Sequence, residues 1–345
     1  MDPVRIAVIG AGLIGGKHID YTMACPDAEL VAVADPDPSA RALAEANGAT
    51  YWADVGEMLA AGGIDGAIVG VPTAMHEPVG LQCVEAGVHA IIEKPICHTL
   101  EAAERLNVAA EAKGVHILTG HHRRYNPWVA EARRIIADGE IGRLVGLQAV
   151  YACAKPSDYF DLEWRRAPGG GPVLTNMIHE VDLMRAVVGE ISEVTAQTSS
   201  HIRGFQTEDT AAITFRFANG ALGSVFISDT APSPWTWEQS SGESHPRFHE
   251  MEENAYRFYG TEAALEFPRL KIWRHIGAPD WTNEITSSSV RPAREDVYTL
   301  QIAHFARVIR GLEAPIISGR EGQKTLAATL AVFEAAETGR TVRLA

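Results

Sequence analysis

The stretch from Val4 to Asp35 constrains the fold more than any other. Residues 4–10, VRIAVIG, are a short apolar run rich in β-branched residues that ends in glycine, the pattern of a strand buried in a parallel sheet. GAGLIG overlaps its end, with Gly10, Gly12 and Gly15 in GxGxxG spacing. Residues 13–24 then read as a helix, and LVAVAD as a second strand closing at Asp35. Each part of such a unit has a physical job. Gly10 permits the tight turn, Gly12 lets backbone approach a pyrophosphate, and Gly15 lets the helix pack on the strand, while the helix N-terminus offers free N–H groups to phosphates. An acid at Asp35 suits a ribose diol and repels a 2′-phosphate, which favours NAD over NADP. Arg41, six residues on, falls in a helical pattern and reads as solvated surface.

The alternation continues. GAIVGVP (66–72), HAIIEKP (89–95) and VHILTGHH (115–122) read as further buried strands, with helical stretches at 77–86 and 99–113 between them. A doubly wound sheet binds ligands at the carboxyl ends of its strands. That rule nominates Gly10, Asp35, Pro72, Thr73, Glu93, Lys94, Pro95, His121 and His122. Pro95 is a candidate for a cis peptide bond.

From about residue 123 the pattern changes. Residues 144–154, 191–202, 209–218 and 221–230 read as strands, and Asn219-Gly220 between the last two signals a hairpin, hence antiparallel neighbours. Residues 253–260 and 264–268 extend the run, and helices are expected over 296–311 and 321–338. A chain of 345 residues is long for one core, so two domains are expected, 1–122 and 123–345.

The formal net charge of −14 disfavours nucleic acid and anionic membranes as partners. No apolar run is long enough to span a bilayer. MDPVRIAVIGAG lacks the layout of a signal peptide. Cys25, Cys83, Cys97 and Cys153 show no CxxC spacing and read as free thiols, so a cytoplasmic location is expected. His245, His249 and Glu250 hint at a metal, but Pro246 breaks helical spacing and nothing completes a ligand set, so no metal is expected. The surrounding segment, 229–252, reads as a long surface loop pinned by Trp235 and Trp237.

The other glycine-rich stretch is GGGPVLTNMIHEVD, Gly169 to Asp182. On a helical wheel over residues 174–188, Met177, Ile178, Val181, Met184 and Val188 form an apolar face, and Thr175, His179 and Asp182 lie opposite. His179 is thus off the apolar stripe. A histidine near its ordinary pKa of about 6.5 suits proton transfer, and the glycines just upstream suit close approach of chain or ligand. Residues 122–166 hold eight Lys/Arg against six Asp/Glu, a net positive stretch in an acidic chain. If Arg124, Lys155 and Arg165 face the crevice, they suit a substrate with a carboxylate or many hydroxyls.

Taken in order, GAGLIG, VPTAMH (71–76), EKP (93–95), RRYNP (123–127), a Trp-Arg pair ahead of GGG, a histidine in the next helix and the TLAATLAVFEAAETGRTVRL ending resemble the glucose–fructose oxidoreductase / inositol dehydrogenase / MocA family of nicotinamide-dependent dehydrogenases. The resemblance spans essentially the whole chain. It implies an N-terminal Rossmann domain with a doubly wound parallel sheet, and a C-terminal α+β domain on a large, mostly antiparallel open sheet. It implies dimers or tetramers formed through the exposed sheet face. It also implies hydride exchange between NAD and a CH–OH group of a sugar, polyol or related substrate, with Lys94 and His179 as the catalytic pair.

Candidate cofactor residues are Gly10, Gly12, Leu13, Ile14, Asp35, Pro72, Thr73, His76, Glu93, Lys94, Trp164 and Arg165. Candidate substrate residues are Lys94, Arg124, Tyr125, Asn126, Lys155, Tyr159, Thr175, Asn176 and His179. One departure stands out: many family dehydrogenases carry aspartate four residues before the histidine, where this chain has Thr175. That leaves room for a dihydrodiol dehydrogenase or an NAD-dependent glycoside-cleaving enzyme. A non-catalytic NAD-binding sensor is a separate alternative, and intact Lys94 and His179 count against it. With a neutral residue at 175, His179 is expected to be oriented by Thr175, Asn176 or Asp182.

Overall fold

The computed structural model describes residues 2–243 and 248–344. It divides into two compact units that are discontinuous in sequence. One comprises residues 1–125 and 295–326, the other 126–294 and 327–345. The single cut expected after residue 122 is thus joined by two later crossings of the chain.

In the first unit, β1 (Val4–Ile9), β2 (Ala28–Ala34), β3 (Thr50–Trp52), β4 (Gly66–Val69), β5 (His89–Ile92) and β6 (Ile117–Thr119) form a parallel sheet in the order β3-β2-β1-β4-β5-β6. The order reverses between β1 and β4, so their carboxyl ends flank the crevice of a doubly wound fold. The connecting helices are α1 (Leu13–Ala24), α2 (Ala40–Ala46), α3 (Val55–Ala61), α4 (His76–Glu85) and α5 (Leu100–Lys113). Helices on both faces explain why β4 is buried at every residue. β3 was not anticipated: TYW is too short, and too exposed, to carry a pattern.

The second unit opens with α6 (Pro127–Ala137) and β7 (Leu144–Ala152), followed by α7 (Ile178–Val188). β8 (Ile191–Ser199), β9 (Thr210–Phe217), β10 (Leu222–Ser228), α8 (Trp237–Ser241), β11 (Tyr256–Gly260), β12 (Ala263–Phe267), β13 (Lys271–His275) and β14 (Ile285–Ser289) continue it. Later come α9 (Val297–Ile309), which belongs to the first unit, then α10 (Gly319–Thr338) and β15 (Val342–Arg343). The strands of this unit form one sheet in the order β14-β13-β12-β11-β7-β10-β9-β8-β15, antiparallel except where β10 meets β7. β9 alternates buried and exposed residues, the signature of a sheet with one face in a core and one face open. Ile213, Phe215, Val225 and Ile227 line the covered face with Val181 and Met184 of α7.

Asn219-Gly220 does turn the chain between β9 and β10. Gly220 has φ +88, where an L side chain is strained, and Asn219 braces the loop by donating from its amide to Val188 O at 3.0 Å. Trp237 is buried against Tyr256 and Phe267, so it pins its segment to the core, while Trp235 stays half exposed. No helix among the described residues is long and apolar enough to cross a membrane.

Candidate active site

At the end of β1 the three glycines do three different things. Gly10 has φ +88, and a Cβ there would lie 2.8 Å from the carbonyl oxygen of Gly70, at the end of β4. A Cβ at Gly15 would lie 1.7 Å from Gly10 O, so α1 rests directly on the turn. A Cβ at Gly12 would meet nothing within 4 Å. Gly12 is the N-cap of α1, which has no capping side chain and no acid in its first turn, and Leu13 beside it is 79% exposed. The result is an open, unshielded helix N-terminus, ready for an anion.

Asp35 closes the same cradle. Its carboxylate accepts the Ala11 N–H at 2.6 Å on one oxygen and the Asp37 N–H at 2.8 Å on the other. A carboxylate has about four lone-pair sites, so two remain for a ribose diol. Arg41 lies over the Tyr51 ring at 4.6 Å and pairs weakly with Glu45 rather than with Asp35. The donor set therefore fits NAD: an empty glycine approach for the pyrophosphate and an acid at the rim.

The neighbouring strand ends are more occupied. Pro72 and Thr73 lead into a single 3₁₀ turn after β4. His76 is buried, and its ring nitrogens face Pro95 O at 2.8 Å and Val71 O at 3.0 Å, so it braces two strand-end loops to each other. Burial pulls its pKa down, outweighing those two bonds. Glu93 is buried too: one oxygen meets the His18 Nε2 at 2.7 Å and the other accepts the Lys94 N–H at 3.1 Å. Burial alone pushes this carboxyl up, but the His18 bond, with the charges of His18, Lys94 and His122, brings it to about 2. A Cβ at Gly120 would lie 2.9 Å from the Glu93 carboxyl carbon, so that glycine makes room for the acid. Lys94 itself is half-buried, and Lys94–Pro95 is a cis peptide. His122 stacks on Tyr298, as does Tyr21.

The triple glycine of the second unit is filled by the chain itself. Gly169 has φ +86, a Cβ at Gly170 would lie 2.3 Å from Trp164 O, and one at Gly171 would lie 2.4 Å from both the carbonyl and the carboxylate of Glu208. Glu208 in turn accepts the Val173 N–H at 2.9 Å, capping the helix that follows. That helix starts as a π turn, Val173–Met177, before α7 proper. The π turn offsets Thr175 from the residues after it, but within α7 the apolar stripe of Ile178, Val181, Met184 and Val188 is buried and His179 is less so. The expected wheel fails at Asp182, which is buried alongside Val181 and Leu183. His179 is half-buried at the start of α7, four residues after Thr175. The Asn176 side chain donates to Tyr151 Oη at 2.8 Å, and its carbonyl oxygen lies 3.0 Å from the Thr175 hydroxyl.

Around Thr175 lies a cluster of cations and rings. Lys155 Nζ is 3.4 Å from Thr175 Oγ1, 3.7 Å from the Asp229 carboxylate and 4.7 Å over the Tyr159 ring. Arg203 bonds the Asp229 carboxylate at 2.8 Å and lies on Phe160 at 4.1 Å. Arg165 stacks on Tyr159 at 3.9 Å and bonds its carbonyl at 2.6 Å, and Trp164 beside it is 53% exposed. The other candidates have structural partners. Arg124 faces Glu321 at 3.7 Å, and Tyr125 is buried against His304. Asn126 caps α6 by accepting the Trp128 N–H, and donates to Glu243.

His18, Gly120, Arg203, Glu208 and Asp229 were not anticipated. Only His18 had a visible signal, sharing the buried face of α1 with Ile19 and Thr22. Among the described residues no group of three His, Cys, Asp or Glu could hold a metal ion. His245 lies outside them, and Glu250 is engaged by Arg269 and Arg294.

A parallel sheet with an open glycine cradle and a rim acid, followed by a unit built on a mostly antiparallel sheet, defines a two-unit nicotinamide-dependent oxidoreductase. The comparisons agree. Residues 4–121 match the family model described as "Oxidoreductase family, NAD-binding Rossmann fold", and residues 129–266 match the GFO/IDH/MocA C-terminal domain. Between them the two models cover most of the chain, which belongs to the GFO/IDH/MocA family. Curated relatives include a 1,5-anhydro-D-fructose reductase of Ensifer adhaerens, 26% identical over 99% of this chain and 98% of that protein. A scyllo-inositol 2-dehydrogenase (NAD(+)) of Bacillus subtilis is 26% identical over 99% and 96%. Among solved structures, a myo-inositol dehydrogenase of Corynebacterium glutamicum is 27% identical with a TM-score of 0.75, covering 100% of this chain and 99% of the other.

Proposed function

We propose that the protein exchanges a hydride between NAD and a CH–OH carbon of a sugar, polyol or sugar acid. The observation that carries this reading is the open cradle at Gly12, with Asp35 at its rim, in a chain similar along its full length to enzymes named for inositols and anhydrofructose. The first turn of α1 (Leu13, Ile14) would hold the pyrophosphate, Asp35 the ribose, and Pro72, Thr73, Lys94, Trp164 and Arg165 the nicotinamide side. NAD, when bound, supplies the hydride acceptor. His179 takes the proton of the reacting hydroxyl and returns it in the reverse direction, and Lys94 donates a hydrogen bond to the same oxygen. The open face of the second sheet, with Leu222 and Phe226 exposed, would carry the dimer or tetramer contact.

Purified protein, NAD and a panel of sugars and polyols should generate the absorbance band of reduced nicotinamide. His179→Ala should abolish turnover and leave NAD affinity intact. Turnover that survives the substitution removes His179 from the mechanism.

A further inference from the structure

The cluster around Lys155 holds a cation without an adequate partner. Its side chain is only 9% exposed, and its backbone N–H is fixed on Asp229 O at 2.9 Å, so the ammonium has little freedom to reach solvent. An ammonium carries three donors, and charge-assisted bonds close at about 2.7–2.9 Å. Among the described residues, the polar partners of Lys155 Nζ are Thr175 at 3.4 Å and Asp229 at 3.7 Å. Asp229 is already committed to Arg203, which bonds its carboxylate at 2.8 Å and reaches its carbonyl as well. Thr175 directs its own hydroxyl at Gly171 O, 2.8 Å away.

Charge bookkeeping points the same way. Lys155, Arg165 and Arg203 gather on the Tyr159–Phe160 rings, and the Asp229 carboxylate pairs with both Lys155 and Arg203. Of the neighbouring acids, Asp209 spends its oxygens on the Ile202 and Arg203 N–H groups and the Thr210 hydroxyl, and Glu208, its pKa raised by burial, spends its own on the Val173 N–H and Thr207. Burial also pulls the Lys155 pKa down, with the Asp229 carboxylate opposing. A buried, under-bonded cation is costly unless a partner arrives. A carboxylate on residue 175 would be that partner, and this chain places a threonine there.

We propose that Lys155 is the seat of a carboxylate on the substrate, and that the enzyme acts on polyhydroxylated acids rather than on the corresponding neutral sugars. Thr175 lines this seat, and His179, on the next turn of the helix, serves the adjacent carbinol. The proposal rests on the dehydrogenase reading above and narrows it to a substrate class.

The test compares matched pairs, glucose with glucuronate and galactose with galacturonate, by kcat/KM with NAD. The wild type should prefer the acid by about tenfold or more, and Lys155→Met should bring the acid-to-neutral ratio to about one. Thr175→Asp, which supplies an internal carboxylate, should invert the preference, and it reads the same question if Lys155→Met fails to fold. A wild-type ratio near one, or a ratio that Lys155→Met leaves unchanged, overturns the proposal. If no member of either pair is turned over, the dehydrogenase reading is in doubt, and calorimetric binding of glucuronate and glucose to the NAD-loaded protein decides this one separately. Glucuronate binding that exceeds glucose binding and is lost in Lys155→Met supports it; equal binding overturns it.

Discussion

The chain has two glycine-rich stretches, and they serve opposite purposes. In GAGLIG, Gly10 and Gly15 are pressed by backbone, while Gly12 faces open space. In GGG, Gly170 and Gly171 are both filled, by Trp164 O and by Glu208. The first stretch leaves its middle glycine open to approach from outside the chain. The second lets three segments of one chain cross at close quarters and starts a π turn. Glycine in a sequence announces close approach, and only the packing says whether a ligand or the chain itself approaches.

Alanine substitutions should separate these roles. Gly15→Ala is the largest expected effect, because a Cβ 1.7 Å from a carbonyl oxygen forces α1 off the sheet. A loss of about 3 kcal/mol or more is expected in urea unfolding followed by circular dichroism. Gly171→Ala should cost about 2–3 kcal/mol by the same measurement, with NAD affinity of the folded fraction preserved. Gly12→Ala should do the reverse. Stability should change by less than about 1 kcal/mol, since only a cap is altered, while the dissociation constant for NAD rises about tenfold or more by fluorescence titration. An unchanged NAD affinity would mean that Gly12 is structural after all.

The smallest effect concerns Gly120, a third glycine, filled by Glu93. The Glu93 carboxyl is held at about 2 against an ordinary 4.5. Its depressed pKa means that its contribution to stability is fully present above pH 4.5 and drains away as the pH falls toward about 2. Glu93→Gln should flatten that part of the stability–pH curve, measured as urea midpoints at successive pH values.

The doubly wound sheet was legible because its evidence is local: strand, turn, helix and acid all fall within residues 4–35. The buried strands β4 and β5 announced themselves as continuous apolar runs. β13 and β14 did not, because ITSSS is wholly exposed and KIWRH has one buried residue, and a strand without a buried face has no periodicity to read. At the candidate site, spacing sufficed to find Asp35 at the rim of the glycine cradle, and family order nominates Lys94 and His179 for the roles proposed above. Glu208, Arg203 and Asp229 were not, since each acts on a residue at least 26 positions away. The wheel over residues 174–188 assumed a uniform α-helix and foresaw neither the π turn over Val173–Met177 nor the burial of Asp182.

The discontinuous first unit has a consequence for biosynthesis. Gly66, on β4, leaves the space into which Phe305 and Ile309 of α9 fit, and Gly322 sits against Thr119 at the end of β6. A nascent chain leaves the ribosome from its N-terminus, so the nucleotide-binding unit starts first yet lacks α9 until residue 309 has been made. The second unit has residues 126–294 before the first is complete at residue 326, so completing the first unit waits on the synthesis of most of the second.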